Sequence, residues 1–161
     1  MKASIADRIR EYLSARRNEM AGFLIRLVEA ESPTFDPDSQ RVPQQLLAHR
    51  LESLDFRVRH YPGETSGGML LARPADRAKG SPIQVLIGHS DTVWPAGTIA
   101  DMPAHTEGGR VYGPGSFDMK GGLVEIVYAM ETLRALDLHP AVTPVILVNS
   151  DEETGSRDSW R

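Results

Sequence analysis

The sequence contains no cysteine in its 161 residues. Disulfides and thiolate metal sites are therefore excluded, and any metal must be held by His, Asp or Glu. Long apolar runs are also missing: none approaches the length of a membrane span, and Met1 to Met20 is too charged to contain a signal-peptide core. Nor is there a large excess of one charge. Eighteen Lys and Arg stand against 22 Asp and Glu, for a formal net charge of −4. That balance leaves no basic footprint for nucleic acid or an anionic membrane. These absences set the expectation of a cytoplasmic protein with neither a nucleic-acid nor a membrane partner. What is present is ordinary, with 40% hydrophobic and 25% charged residues, enough for one domain with a real core.

Apolar residues recur at helical spacing between Ser4 and Glu31, at Ile5, Ile9, Leu13, Met20, Phe23, Leu24, Leu27 and Val28. This predicts one long amphipathic helix or two short ones joined within Ser14 to Glu19. Ser32-Pro33 ends it, and Thr34 to Asp38 is a loop. Pro43 suits a first helical turn, so a further helix runs from about there through Leu54. Phe56 to Tyr61 alternates as a half-buried strand, with no role assigned to His60, and Met69 to Ala72 is another short strand. Thr106 to Gly109 reads as a hairpin turn into a strand at Arg110 to Tyr112. A glycine-rich loop, Gly113 to Gly122, then opens a helix carrying Leu123, Ile126, Val127, Met130, Leu133 and Leu136. Two mainly apolar runs, Ile83 to Ile87 and Val145 to Val148, predict buried strands. Together these elements predict an α/β layered fold. The two apolar strands should be parallel neighbours with helices on both faces.

The chemistry gathers where those strands end. The first runs into Gly88-His89-Ser90-Asp91-Thr92 and the second into Asn149-Ser150-Asp151-Glu152-Glu153-Thr154-Gly155. Asp118 stands in the glycine loop between them. His89 and Asp91, two apart, project to the same side of a strand. A carboxylate beside an imidazole can take one ring N–H and leave the other nitrogen free for a metal. In open α/β sheets ligands collect at the carboxyl ends of the strands. If these ends are adjacent, Asp91, Asp118, Asp151, Glu152 and Glu153 converge with His89 on one crevice. Five carboxylates together repel and raise one another's pKa, and a divalent ion or a pair of ions removes that penalty. A solvated acid cluster at a helix start would account for Asp151 to Glu153 alone. It would not account for glycine and acid recurring in all three segments.

These three blocks, Gly88-His89-Ser90-Asp91-Thr92-Val93, Gly113-Pro114-Gly115 ahead of Asp118-Met119-Lys120-Gly121-Gly122, and Asp151-Glu152-Glu153-Thr154-Gly155-Ser156, resemble those of the di-zinc aminoacylase and glutamate carboxypeptidase family. Acetylornithine deacetylase and succinyl-diaminopimelate desuccinylase are related members. The Gly-Pro-Gly form resembles the glutamate carboxypeptidase branch most. The resemblance implies a three-layer αβα zinc-peptidase fold with a partly parallel, mixed sheet. It implies that His89 binds one zinc with Asp91 orienting it, that Asp118 bridges two zincs, that Glu153 binds the second, and that Glu152 is the general base. Cobalt or manganese can replace zinc in such sites. A cis peptide at Asp118–Met119 is implied as well. Lys120 is read as structural. The implied reaction is attack of a zinc-activated water on an amide next to a free carboxylate, in a small peptide or N-acyl amino acid.

The chain also departs from the pattern. It has no further acidic ligand beyond the Glu-Glu pair, no late His, and no inserted smaller domain of the kind that mediates homodimer contacts in the family. The expectation is that residues 1–161 are the N-terminal part of a catalytic domain, inactive alone; the alternative is a noncatalytic or fragmentary metal-binding module. Asp55 stands where the family usually has a glycine, a position asking for left-handed backbone. A nucleotide-binding loop is excluded, because Lys120 is followed by Gly121 rather than Ser or Thr, and Asp118 would repel phosphate.

Overall fold

A computed structural model of the chain describes residues 3–160. The first helical stretch is two helices, α1 (Ile5–Ala15) and α2 (Arg17–Glu29), joined at Arg16. The polar run without core-facing residues is where the axis turns. Ser4 and Asp7 start α1 with reciprocal side-chain to backbone hydrogen bonds, satisfying two otherwise orphaned N–H groups. The third helix, α3 (Arg41–Glu52), begins two residues before Pro43, which thus sits in the first turn. After α3, Asp55 has φ 64°, the left-handed conformation its position asked for, and its carboxylate meets Arg134 at 2.9 Å.

The strands follow as β1 (Phe56–Tyr61), β2 (Met69–Pro74) and β3 (Ile83–His89). A single helical turn, α4 (Thr98–Asp101), and a small hairpin, β4 (His105–Glu107) with β5 (Arg110–Tyr112), lead to α5 (Gly121–Ala135) and β6 (Thr143–Asn149). Gly108 and Gly109 turn the hairpin with φ of 56° and 77°, as the primed turn requires. The main sheet has the order β1-β2-β6-β3. β1 with β2 and β2 with β6 are antiparallel, whereas β3 and β6 are parallel, joined by the crossover that contains α5.

The register explains the core. Val58 pairs with Ala72, Ala72 with Ile146, and Ile146 with Leu86, so these side chains share one face. Leu27, Leu47, Leu51, Leu123 and Val127 from the helices close over it, each at most 1% exposed. Full burial of such a side chain contributes about 1.5–3 kcal/mol, so this face anchors the fold.

One expectation fails. β3 is an edge strand, not an interior one, and Ile83, Val85 and Ile87 on its other face are 49%, 46% and 66% exposed. Among the described residues no helix layer covers that side of β3. An apolar run records that a strand is compatible with burial on both faces; it does not record whether the covering layer lies within the same stretch of chain. The parallel pairing of β3 with β6 and the mixed α/β sheet are as predicted.

Candidate metal centre

Parallel pairing brings the two motif-bearing strand ends level. His89 pairs with Asn149 in the ladder, and the Ser90 N–H donates to the Asn149 carbonyl at 2.9 Å. The turn after β6 is thereby set directly beside His89 and Asp91. Close approach of α5 needs Gly88: a Cβ there would lie 2.8 Å from Leu123 Cδ2 and 3.1 Å from Met119 Cε. Gly115, at φ 69°, lets the glycine loop pass Thr92, whose Cγ2 would be 2.4 Å from a Cβ.

Asp91 is completely buried and joins three segments. Its carboxylate accepts from Thr34 Oγ1 at 2.9 Å and from the Glu152 and Glu153 N–H groups at 3.2 Å each. Burial pushes its pKa up, but hydrogen bonds from His89, Thr34 and the Glu153 N–H outweigh that and hold the carboxyl below its ordinary value. His89 is 5% exposed. Its Nδ1 lies 3.1 Å from the Asp91 carbonyl oxygen and 3.4 Å from the Asp91 carboxylate. With the Nδ1 proton donated there, Nε2 is the free nitrogen, and it points at Asp118 Oδ1, 3.1 Å away. Burial opposes charge on the imidazole, yet the Asp91 hydrogen bond and charge, together with Asp118, raise its pKa to about 9.

The outer groups are open to solvent: the Asp118 side chain is 71% exposed and Glu152 54%. Asp118 sits in an irregular turn at Ser116–Lys120 with extended backbone, φ −120° and ψ 105°, and its peptide bond to Met119 is cis. His89, Asp118 and Glu153 offer ligand atoms that all lie within 4.8 Å of one another. This set suits zinc. It is all nitrogen and oxygen, and two ligands on one tetrahedral ion with bonds of about 2.0–2.1 Å stand about 3.3 Å apart, close to the His89–Asp118 separation. Burial raises the Glu153 pKa, His89 opposes this, and the charges of Asp118, Asp91 and Glu152 raise it further. That is the repulsion expected of gathered carboxylates. Glu152 Oε2 stands 3.9 Å from His89 Nε2, outside the three-ligand group but beside it.

Asp151 does not join the crevice. Its buried carboxylate turns away to accept from the Asp158 and Ser159 N–H groups, at 2.7 and 3.1 Å, and from Ser159 Oγ at 2.6 Å. Local spacing placed it with its neighbours; the partners that claim it lie seven and eight residues on. Several supporting residues were not singled out from the sequence. Thr34 holds Asp91, and Ser32 Oγ donates to the Ser90 carbonyl at 2.6 Å. Gln40 is buried and donates to the carbonyls of Pro33 and Thr34 at 2.9 and 3.0 Å, fixing that loop. No role was read for them from the polar loop between two apolar helices. Lys120, read as structural, is 1% exposed and donates to the Ala30 carbonyl at 2.9 Å, tying the glycine loop to the end of α2.

Helices packed on a partly parallel sheet, with a His, Asp and Glu group beside the ends of β3 and β6, define an α/β domain with a candidate metal site. Residues 85–160 match the family described as Peptidase family M20/M25/M40. Carboxypeptidase G2 of Pseudomonas sp. (strain RS-16) is 31% identical over 135 residues, covering 83% of this chain and 32% of that protein. Succinyl-diaminopimelate desuccinylase of Xylella fastidiosa (strain M23) is 34% identical over 134 residues, covering 80% and 34%. Human carnosine dipeptidase 1 shares the fold with a TM-score of 0.80 at 21% identity, over 94% of this chain and 36% of that one. An M20 family metallo-carboxypeptidase of Sulfolobus solfataricus has a TM-score of 0.67 at 20% identity, over 86% and 31%. Residues 85–160 thus carry the match to the M20 peptidase family, in a chain similar to these relatives over about four fifths of its length. The chain spans about a third of the length of the curated relatives it matches.

Proposed function

We propose that residues 1–161 are the N-terminal part of the catalytic domain of a zinc-dependent amide hydrolase, acting on an amide next to a free carboxylate. Small peptides and N-acyl amino acids are the substrate class, and the cytoplasm is the place of action. The observation that carries this reading is the convergence of His89, Asp118 and Glu153 within 4.8 Å, beside a glutamate that is not one of them. His89 through Nε2, Asp118 and Glu153 would hold the metal. Such ions, when bound, act as Lewis acids and lower the pKa of water.

The chain's own groups then divide the work. Asp91 fixes the imidazole through Nδ1 and anchors the Glu152-Glu153 turn by both backbone N–H groups, so the ligand and the base are positioned by one buried carboxylate. Glu152, exposed and free of backbone obligations at its carboxylate, accepts the proton of the attacking water and passes it to the leaving amine. Were two ions held, these three ligands would give each fewer protein donors than the three of catalytic zinc sites. Residues 1–161 alone are therefore inactive, and a homodimer would form through a domain outside them.

The test is hydrolysis of N-acyl amino acids and C-terminal glutamate peptides with added zinc, alongside zinc binding by calorimetry. The chain should bind zinc without turnover. Turnover that Glu152→Gln abolishes would show that no further ligands are needed, and failure to bind zinc would remove the hydrolase reading.

A further inference from the structure

The sheet face that is apolar at β3 is charged at β1 and β2. Arg57 and Arg73 are direct partners in the β1–β2 register, and both are exposed. Arg59, two residues from Arg57, lies on the same face. β1 is the opposite edge of the sheet from β3. A layer over Ile83, Val85 and Ile87 would have to bury guanidinium groups to reach it, so this corner stays in water in a larger domain as well. β2 runs antiparallel to β6, so Arg73 and Pro74 lie at the end of the sheet away from His89 and Asn149. The corner is thus separate from the metal ligands.

There Arg57, Arg73, Pro74, Ala75, Arg77 and Lys79 line a cavity of about 160 Å³. Four of these side chains are cationic and none is acidic, in a chain whose net charge is −4. Among the described residues none of the four has an ion-pair partner. Asp55 is taken by Arg134, and Asp76 lines the neighbouring hollow at Leu54 and Met130. Like charges directly opposite on two strands repel, so the Arg57–Arg73 pair calls for an anion. Arg77 makes a second demand. Its Nη2 donates to the Ser81 carbonyl at 3.2 Å, but its Nε is buried without a hydrogen-bond partner. A buried donor left unmet is costly, and an oxygen acceptor would relieve it. The backbone beneath is fixed: the Ala75 N–H donates to the Asp55 carbonyl at 2.9 Å and the Arg77 N–H to the Pro74 carbonyl at 3.3 Å.

We propose that this corner binds a phosphoryl group, free or as a phosphomonoester, at a site distinct from the metal centre. Guanidinium forks match phosphate oxygens in pairs. Four cations favour a dianion over a single carboxylate. Drug-sized ligands need pockets of about 300–1,000 Å³, so this smaller cavity takes one compact group. The bound group would neutralise the Arg57–Arg73 repulsion and clamp the loop after β2 onto β1. It therefore stabilises this edge of the sheet. The inference goes beyond the hydrolase reading and does not depend on it.

The test uses the whole chain, labelled with nitrogen-15 and kept with a chelator so that no metal ion can take up the anion. Inorganic phosphate at constant ionic strength should shift the amides of Arg57, Arg73, Ala75, Arg77 and Lys79 saturably. Its Kd should be at least tenfold below those of acetate and chloride. Arg73→Gln and Lys79→Gln should each weaken phosphate at least fivefold, and Arg73→Lys should lose less than Arg73→Gln. Without phosphate, Arg73→Gln should keep the parent's urea midpoint or exceed it, because a repelling pair is relieved. With phosphate, the parent's midpoint should rise and the variant's should not. Glycerol phosphate separates the two sources: binding as tight as phosphate assigns a phosphomonoester, and binding at least tenfold weaker assigns the free ion. Equal shifts with chloride or acetate, unchanged affinity in both Gln variants, or shifts confined to the His89 and Glu153 region would each overturn the proposal. Binding of an oligonucleotide with none of inorganic phosphate would assign the corner to nucleic acid and overturn it too.

Discussion

The site has a floor and a rim, and they are built by different means. Asp91 and His89 form the floor, at 0% and 5% exposure, with every polar side-chain atom given a protein partner. Asp118 and Glu152 form the rim, more than half exposed and anchored mainly through their backbones. The floor is set by the fold alone: one carboxylate binds three segments distant in sequence. The rim is only aimed by the fold, and its like charges call for a cation. Substitutions in the floor should therefore cost stability, while those in the rim should cost metal affinity and leave the fold in place.

Asp91→Ala should have the largest effect on stability. It leaves the Thr34 hydroxyl and two backbone N–H groups without their acceptor in a buried place. The loss should be about 3–5 kcal/mol in urea unfolding. A loss below about 1 kcal/mol would mean that the segments are held together by something else.

Lys120→Met should cost less, about 1 kcal/mol at neutral pH, because one hydrogen bond is lost while apolar packing is kept. It also has a pH signature. Burial lowers the Lys120 pKa to about 8, against the opposing charge of Glu31. Between about pH 8 and the ordinary lysine value the unfolded chain holds the proton that the folded chain has released, so stability gains with rising pH there. Lys120→Met should lack that gain, measured by urea midpoints across the window.

Much of this was legible in advance, for physical reasons that differ by residue. Glycine and acid recurring at segment ends gathered His89, Asp91, Asp118, Asp151, Glu152 and Glu153, strand alternation put His89 and Asp91 on one side, and the family resemblance alone divided the roles among them. The split of the first helical stretch was legible in the polar run around Arg16. The edge position of β3 was not, because Ile83, Val85 and Ile87 look alike whether covered or open. Asp151 was misplaced because its partners, Asp158 and Ser159, act through backbone N–H groups that no side-chain pattern announces. Thr34, Gln40 and Ser32 were passed over for a similar reason: their value lies in what folding brings to them.

A smaller effect is expected far from the rim. Asp158 caps the Glu64, Thr65 and Ser66 N–H groups and accepts from Ser66 Oγ at 2.7 Å. Burial raises its pKa, but these hydrogen bonds together prevail and bring it to about 2. Its folded pKa is below the unfolded one, so its contribution is present above about pH 4 and is lost as pH falls toward 2. Asp158→Asn should lower stability at pH 7, where that contribution is present, and flatten the acid limb so that variant and parent converge as pH falls toward 2. An unchanged acid limb would show that Asp158 does not hold this turn. Smallest of all should be Glu152→Gln, a rim change within about 0.5 kcal/mol of the parent in unfolding.

The most direct test of the central claim is zinc binding by calorimetry to the chain and four single variants. His89→Ala, Asp118→Asn and Glu153→Gln should each weaken binding at least tenfold, while Glu152→Gln binds like the parent. Unchanged affinity in the first three, or a loss in Glu152→Gln as large as theirs, would contradict the assignment of ligands and base.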